Sequence, residues 1–302
     1  MVNFILIAFC IAAGMIFTAT KSIHPDAHKS INTWILYIAL PAVSFEYIPK
    51  IRWSEEMLLP AISSLIVWAG SWLFMEIYCR HKHYAQRTRS SLEIASGFAN
   101  TSFIGFPLIS AYFGEQYLSI AIICDQAMFV ILSTAGIVAA LKGGSQQNKP
   151  DARFILKRLV TFPPFIGCVS SLVLSHFINL QPTEPFFNKL AATVAPLALF
   201  SVGLQLKFKG WQQEIYQIGM SQIYKLLLAP VLVLILVLVL HLKGDIAKIS
   251  VFEAAMPTLL TSSIIAEEYR LNARLTNLII GISIIVGLAT TALWYQIVQV
   301  FL

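Results

Sequence analysis

Long apolar runs separated by short polar connections set the first expectation for this chain. Ten runs fall at about 2–20, 31–48, 57–79, 90–113, 117–141, 154–178, 187–206, 215–240, 250–268 and 274–301. Each approaches the roughly 20 residues that a helix needs to cross a bilayer. The longest polar connections, near 80–90 and 142–153, leave no separate hydrophilic domain. The expected fold class is an all-α membrane protein of ten transmembrane helices.

Two of the runs are unlike the others. The fourth carries Asn100, Thr101, Ser102 and Ser110 together with Gly97, Gly105, Gly114 and Pro107. The ninth holds Pro257, Thr258, Thr261, Ser262 and Ser263. Glycine and proline weaken or interrupt the helical hydrogen-bond ladder. Lipid cannot satisfy the backbone groups so freed, and such a segment must be buried in protein or line a cavity. Two interrupted spans at matching places in two halves point to the binding site of a secondary transporter. The expected ligand contacts are therefore Asn100, Thr101, Ser102, Pro107, Pro257, Thr258, Thr261, Ser262 and Ser263.

Ten spans divide into five and five, and an odd number per half turns one half upside down relative to the other. The expected repeats are 1–145 and 150–302. Pro41 and Phe45 of span two recur as Pro196 and Phe200 of span seven, an offset of 155 residues that also carries Ala111 to Ala266 and Pro107 to Ser262.

Composition sharpens this picture. The chain has 302 residues, 57% hydrophobic and 12% charged, and a mean hydropathy of +0.74. A soluble domain would carry about a quarter charged residues. The net charge of +6 does not call for nucleic acid, because the basic residues are dispersed over short loops where anionic lipid accounts for them. Of the 21 Lys and Arg residues, 15 lie in loops of one side and 5 in loops of the other, and Lys225 lies inside span eight. The positive-inside bias places both termini outside a plasma (inner) membrane. The first run starts at Val2 without a basic leader, which predicts a retained span rather than a signal peptide. Cys10, Cys79, Cys124 and Cys168 all fall in apolar runs and read as small buried hydrophobes, not as a disulfide set.

If spans four and nine break at mid-depth, two half-helix N-termini present unpaired N–H groups and about half a positive charge each, which suits a carboxylate. For any single Ser or Thr, re-satisfying the broken backbone or joining helices is the favoured role. For Asn100 ligand contact is the stronger reading, since a buried amide is costly without a partner. Asp125 in span five and Lys225 in span eight are intramembrane charges, a type that costs about 2.5–3.5 kcal/mol on insertion scales and marks function by default. Asp125 suits ion or proton coupling or core pairing, with Gln126 beside it. Lys225 is open between a functional place and snorkelling to the surface. Glu253 is a further candidate, whereas Glu46, Glu76 and Glu93 lie nearer span ends and read as interfacial. The pairs His24/His28 and His81/His83 sit in polar loops without cysteine or acidic partners, so no metal site is expected. No P-loop, His-Glu-x-x-His or Gly-x-Ser-x-Gly pattern occurs, and neither enzymatic activity nor a cofactor is expected. A coupling ion, H+ or Na+, remains open.

Several pieces together resemble the auxin efflux carrier family, plant auxin exporters and their short bacterial relatives in the bile acid/sodium symporter-like superfamily. They are Asn100-Thr101 with Gly105, Pro107 and Leu108, then Tyr112-Phe113-Gly114; Ala254-Ala255-Met256-Pro257 followed by Ala266, Glu268 and Tyr269; Pro41 with Ser44-Phe45; Phe200-Ser201 with Gly203-Leu204; and Lys225 ahead of Pro230. The resemblance covers nearly the whole chain. It implies an inverted-repeat fold in which spans one, two, six and seven form a scaffold. Spans three to five with eight to ten would form a transport domain, and spans four and nine would cross where they break. It also implies a small organic anion as partner besides membrane lipid, a substrate carboxylate held at the crossover where Asn100 matches the plant asparagine, a basic residue at Lys225, and a homodimer. Plant exporters have proline where this chain has Ala99 and Ser262, and the long loop between spans five and six is missing. A malate-like carboxylate then fits better than auxin. The expected function is alternating-access transport of such an anion. The alternatives are a sodium-coupled symporter on the same fold and a membrane sensor that binds without transporting.

Overall fold

A computed structural model describes residues 2–51, 53–144, 152–206 and 210–302. Arg52, Lys149, Lys207 and Lys209, all counted in the charge bias, lie outside the described residues, as does the expected junction between halves at 145–150. Among the described residues there is helix and no strand. Seven helices are long and apolar enough to cross a bilayer: α1 (Val2–Ala19), α2 (Ala27–Lys50), α3 (Glu55–His81), α6 (Glu115–Gly143), α9 (Gln181–Gln205), α10 (Trp211–Val239) and α13 (Ala273–Phe301). α7 (Arg153–Val160) and α8 (Pro163–Phe177) are bent by 69° against each other and give an eighth span if counted as one. The bend falls at Pro163 and Pro164, which lack the N–H groups needed to continue the ladder from α7.

The expected fourth and ninth spans are each two helices. α4 (Gln86–Gly97) stops at Gly97, Phe98 is extended (φ −121°, ψ 124°), and α5 (Thr101–Tyr112) follows. α11 (Asp245–Ala254) and α12 (Thr261–Glu268) are likewise separated, with Pro257 between them. Both leading pieces sit inside protein. Every residue of α4 from Ser90 to Gly97 is buried, as is every residue of α11 from Ile249 to Ala254. Burial on all faces is what the lipid argument demands of a helix that ends in the bilayer.

Two of the long helices, and the shorter α5, carry a π-helical turn just ahead of a proline: Ile35–Ala39 before Pro41, Ile223–Leu228 before Pro230 and Thr101–Gly105 before Pro107. A proline removes one N–H and its ring pushes against the carbonyl four residues back, so the preceding turn widens. The carbonyl four residues before Pro230 belongs to Leu226, and the Trp294 indole N–H donates to it at 2.8 Å. A tertiary donor thus replaces the one the proline lacks.

The chain forms two compact units. One comprises residues 1–55, 102–126 and 157–206; the other comprises 56–101, 127–156 and 207–302. Each takes segments from both halves of the sequence. In the first unit α1 and α9 meet through Gly14 and Gly203. A Cβ on Gly203 would lie 2.3 Å from the Ile11 carbonyl oxygen, and one on Gly14 would lie 2.4 Å from that of Phe200. Elsewhere in that unit the Ser171 hydroxyl donates to the Ser44 carbonyl at 3.0 Å. In the second unit α4 packs against α3, the last part of α6, α10 and α13. Cys10, Cys79 and Cys124 are buried, and Cys168 is half-buried.

Candidate functional site

In the second unit the two interruptions lie against each other. Ala99 and Thr258 form an antiparallel bridge. The Asn100 N–H donates to the Pro257 carbonyl at 2.8 Å, and the Leu259 N–H donates to the Phe98 carbonyl at 3.0 Å. Each break thereby satisfies backbone groups of the other, which lipid could not do. Thr258 also donates its N–H to the Ser283 hydroxyl at 2.9 Å. α13 approaches so closely here that a Cβ on Gly287 would stand 2.7 Å from Cγ of Pro257.

Lys225 is fully buried, and its ammonium donates to the Ala254 carbonyl at 2.8 Å. Ala254 is the last residue of α11, where the carbonyls are left without helical partners and carry the negative end of the dipole. Snorkelling is therefore not what Lys225 does: the widened turn before Pro230 carries it into the protein, onto a helix end. Glu253, equally buried, is close enough to interact electrostatically with it. Removing the cation would leave the Ala254 carbonyl without its donor and Glu253 without a nearby positive charge, and a buried group left unsatisfied costs about 1–3 kcal/mol, more where it is charged. We expect Lys225→Met to lower thermal stability in detergent and Lys225→Met/Glu253→Gln to recover part of the loss. A single mutant melting at the wild-type temperature would refute the pairing.

The expected site residues are distributed as follows. Asn100, Thr101 and Thr258 are buried, and the Thr258 hydroxyl has no hydrogen-bond partner among the described residues. Ser262 is buried too, but its hydroxyl donates to the Ile94 carbonyl at 3.3 Å, near the end of α4, which is the backbone-satisfying role. Thr261 and Ser263 are half-buried at the start of α12. Ser102, Pro107, Asp125 and Gln126 belong to the first unit. There Pro107 lines a cavity of about 240 Å³ with Tyr47, Ser110 and Glu115, and the Gln126 amide donates to the Asp125 carboxylate at 3.3 Å. Glu46, read as interfacial, is 3% exposed. Ser283, Gly287 and Trp294 were not expected. The spacing of Ser283 and Gly287 by one helical turn on α13 was the available signal, and it is weak without knowing what lies opposite.

An all-helical chain with this many bilayer-length helices is an integral membrane protein, and the burial of its interrupted helices suits one that moves a solute. The chain belongs to the membrane transport protein family, which matches residues 1–295; auxin efflux carriers are among its relatives. It is a transporter and not an enzyme. An uncharacterized transporter of Methanocaldococcus jannaschii is 27% identical over 276 residues, covering 88% of each chain. A Rhizobium meliloti protein named "Putative malonate transporter" is 27% identical over 302 residues, covering 94% of this chain and 93% of its own. "Probable auxin efflux carrier component 9" of Oryza sativa is 28% identical over 142 residues, covering 45% of this chain and 33% of its own.

Proposed function

We propose that the protein moves a small organic anion, a carboxylate of malonate or malate size, across the membrane by alternating access. The binding region is the pair of interruptions, with α4/α5 and α11/α12 counting as the fourth and ninth of ten spans in two inverted repeats that cross at their breaks. The observation that carries this reading is the capture of the Ala254 carbonyl by Lys225 beside the Asn100–Pro257 bond. The negative end of one broken helix is already neutralised by the protein's own cation. The positive N-terminal ends of α5 and α12 lie at Thr101 and Thr261, and the anion is placed against their dipoles. Asn100 and Thr258 supply neutral hydrogen bonds beside them. The name of the Rhizobium relative supports a dicarboxylate. Asp125 serves coupling, with H+ or Na+ as the ion, both termini face outward, and the protein works as a homodimer.

Counterflow in proteoliposomes tests this. Vesicles loaded with unlabelled malonate are expected to accumulate labelled malonate or malate, and repeating the assay with sodium or pH gradients identifies the coupling ion. Carboxylate binding without any flux across the panel would overturn transport and favour a sensor.

A further inference from the structure

A second pocket, in the first unit, has features that the transport reading does not use. It holds about 370 Å³ where the loop after α2 meets the loop between α8 and α9, and its lining includes Phe45, Glu46, Lys50, Trp53, Asn179 and Glu184. The Lys50 ammonium donates to Glu46 at 2.6 Å and to Glu184 at 2.7 Å. Two carboxylates thus share one cation, leaving a net charge of one negative. The Glu46 side chain is 2% exposed, and its second oxygen, Oε2, is buried with no hydrogen-bond partner among the described residues. A buried carboxylate oxygen without a donor is unfavourable and marks a place where a donor belongs. Lys50 has three N–H groups and spends two on the carboxylates, so one is left for an acceptor.

We propose that this pocket takes a primary ammonium group, donated to Glu46 and Glu184, with Lys50 meeting a phosphate on the same molecule. That pattern of charge fits the zwitterionic headgroup of an aminophospholipid, and a free amine shares the ammonium chemistry. The position agrees with headgroup depth. The pocket lies at the ends of bilayer-length helices, and Trp53 at its rim is 59% exposed, as aromatic residues at a membrane–water interface are. Its volume exceeds what a bare ion needs.

Thermal unfolding of the full chain in detergent, titrated with phosphatidylethanolamine, phosphatidylcholine or ethanolamine, tests the proposal. Phosphatidylethanolamine is expected to raise Tm by about 3 °C more than phosphatidylcholine, whose quaternary nitrogen has no N–H to donate. Glu46→Gln is expected to abolish that difference. Glu184→Gln, at a half-exposed position, is expected to reduce it severalfold. A response to ethanolamine alone would assign the site to a free amine, and a response to the lipid alone to a headgroup; both support an ammonium site. Equal shifts with the two lipids and none with ethanolamine, or a response undiminished in both variants, would overturn it.

Discussion

Asn100→Ala protein in proteoliposomes is expected to show carboxylate uptake reduced about ten- to hundredfold while unfolding near the wild-type temperature. The two halves of this expectation have separate causes. The bond that joins the breaks uses the Asn100 main-chain N–H on the Pro257 carbonyl, and truncation at Cβ leaves it in place. Fold and bridge therefore survive. A side-chain amide in contact with an anion is a hydrogen bond to a charged group, with a net value of about 1.5–3 kcal/mol. Each 1.4 kcal/mol is about a factor of ten, which gives the stated range. Asn100→Asp should be worse than alanine, because a fixed negative charge repels the same guest. Wild-type uptake by the alanine variant would remove Asn100 from the site, and a large fall in stability would make it a structural residue instead.

The second large effect concerns folding. Gly203→Leu is expected to yield little folded protein, and Gly203→Ala to fold with Tm lowered by several degrees. α1 and α9 touch backbone to backbone, so a new Cβ at either glycine meets carbonyl oxygens 2.3 to 2.4 Å away. No flexible side chain is available to yield, and the helices must separate. Overpacking costs about 1–3 kcal/mol where neighbours can adjust, and more where they cannot. In a chain of this size each kcal/mol lowers Tm by about 2–4 °C. Small residues at close helix contacts are the usual means of association within lipid, where no hydrophobic drive exists between helices. Gly219 makes a control, since nothing lies within 4 Å of a Cβ there. If Gly203→Leu and Gly219→Leu melt together, the contact is unimportant.

Much of the architecture could be read from the chain, for a reason particular to membranes. Bilayer thickness sets the length of a spanning helix, so apolar run length located α1, α2, α3, α6, α10 and α13 to within four residues at either end and α9 to within six. The bend between α7 and α8 was hidden, although Pro163-Pro164 stands at the spot, because proline within an apolar run reads equally as a tolerated kink. The interruptions at 98–100 and 255–260 were legible because Asn, Pro and clustered hydroxyls are expensive there. Ser262 shows the limit: its hydroxyl looked like a ligand group, and it donates to the Ile94 carbonyl. Which hydroxyl repairs backbone and which stays open, as Thr258 does, depends on the neighbour across the helix pair.

Sequence by itself thus determined that this is a polytopic membrane protein, that its fourth and ninth apolar runs are interrupted, and which polar groups lie in those two runs. Those facts follow from the cost of unsatisfied backbone and charge in hydrocarbon, a cost local to each segment. Tertiary structure alone decided that Ala99 pairs with Thr258, that Lys225 turns inward to the end of α11, and that Trp294 covers the carbonyl exposed by Pro230. Each of these joins groups at least 29 residues apart, the separation of Lys225 from Ala254. A hydrogen bond is set by angles and ångströms that packing supplies and residue order does not.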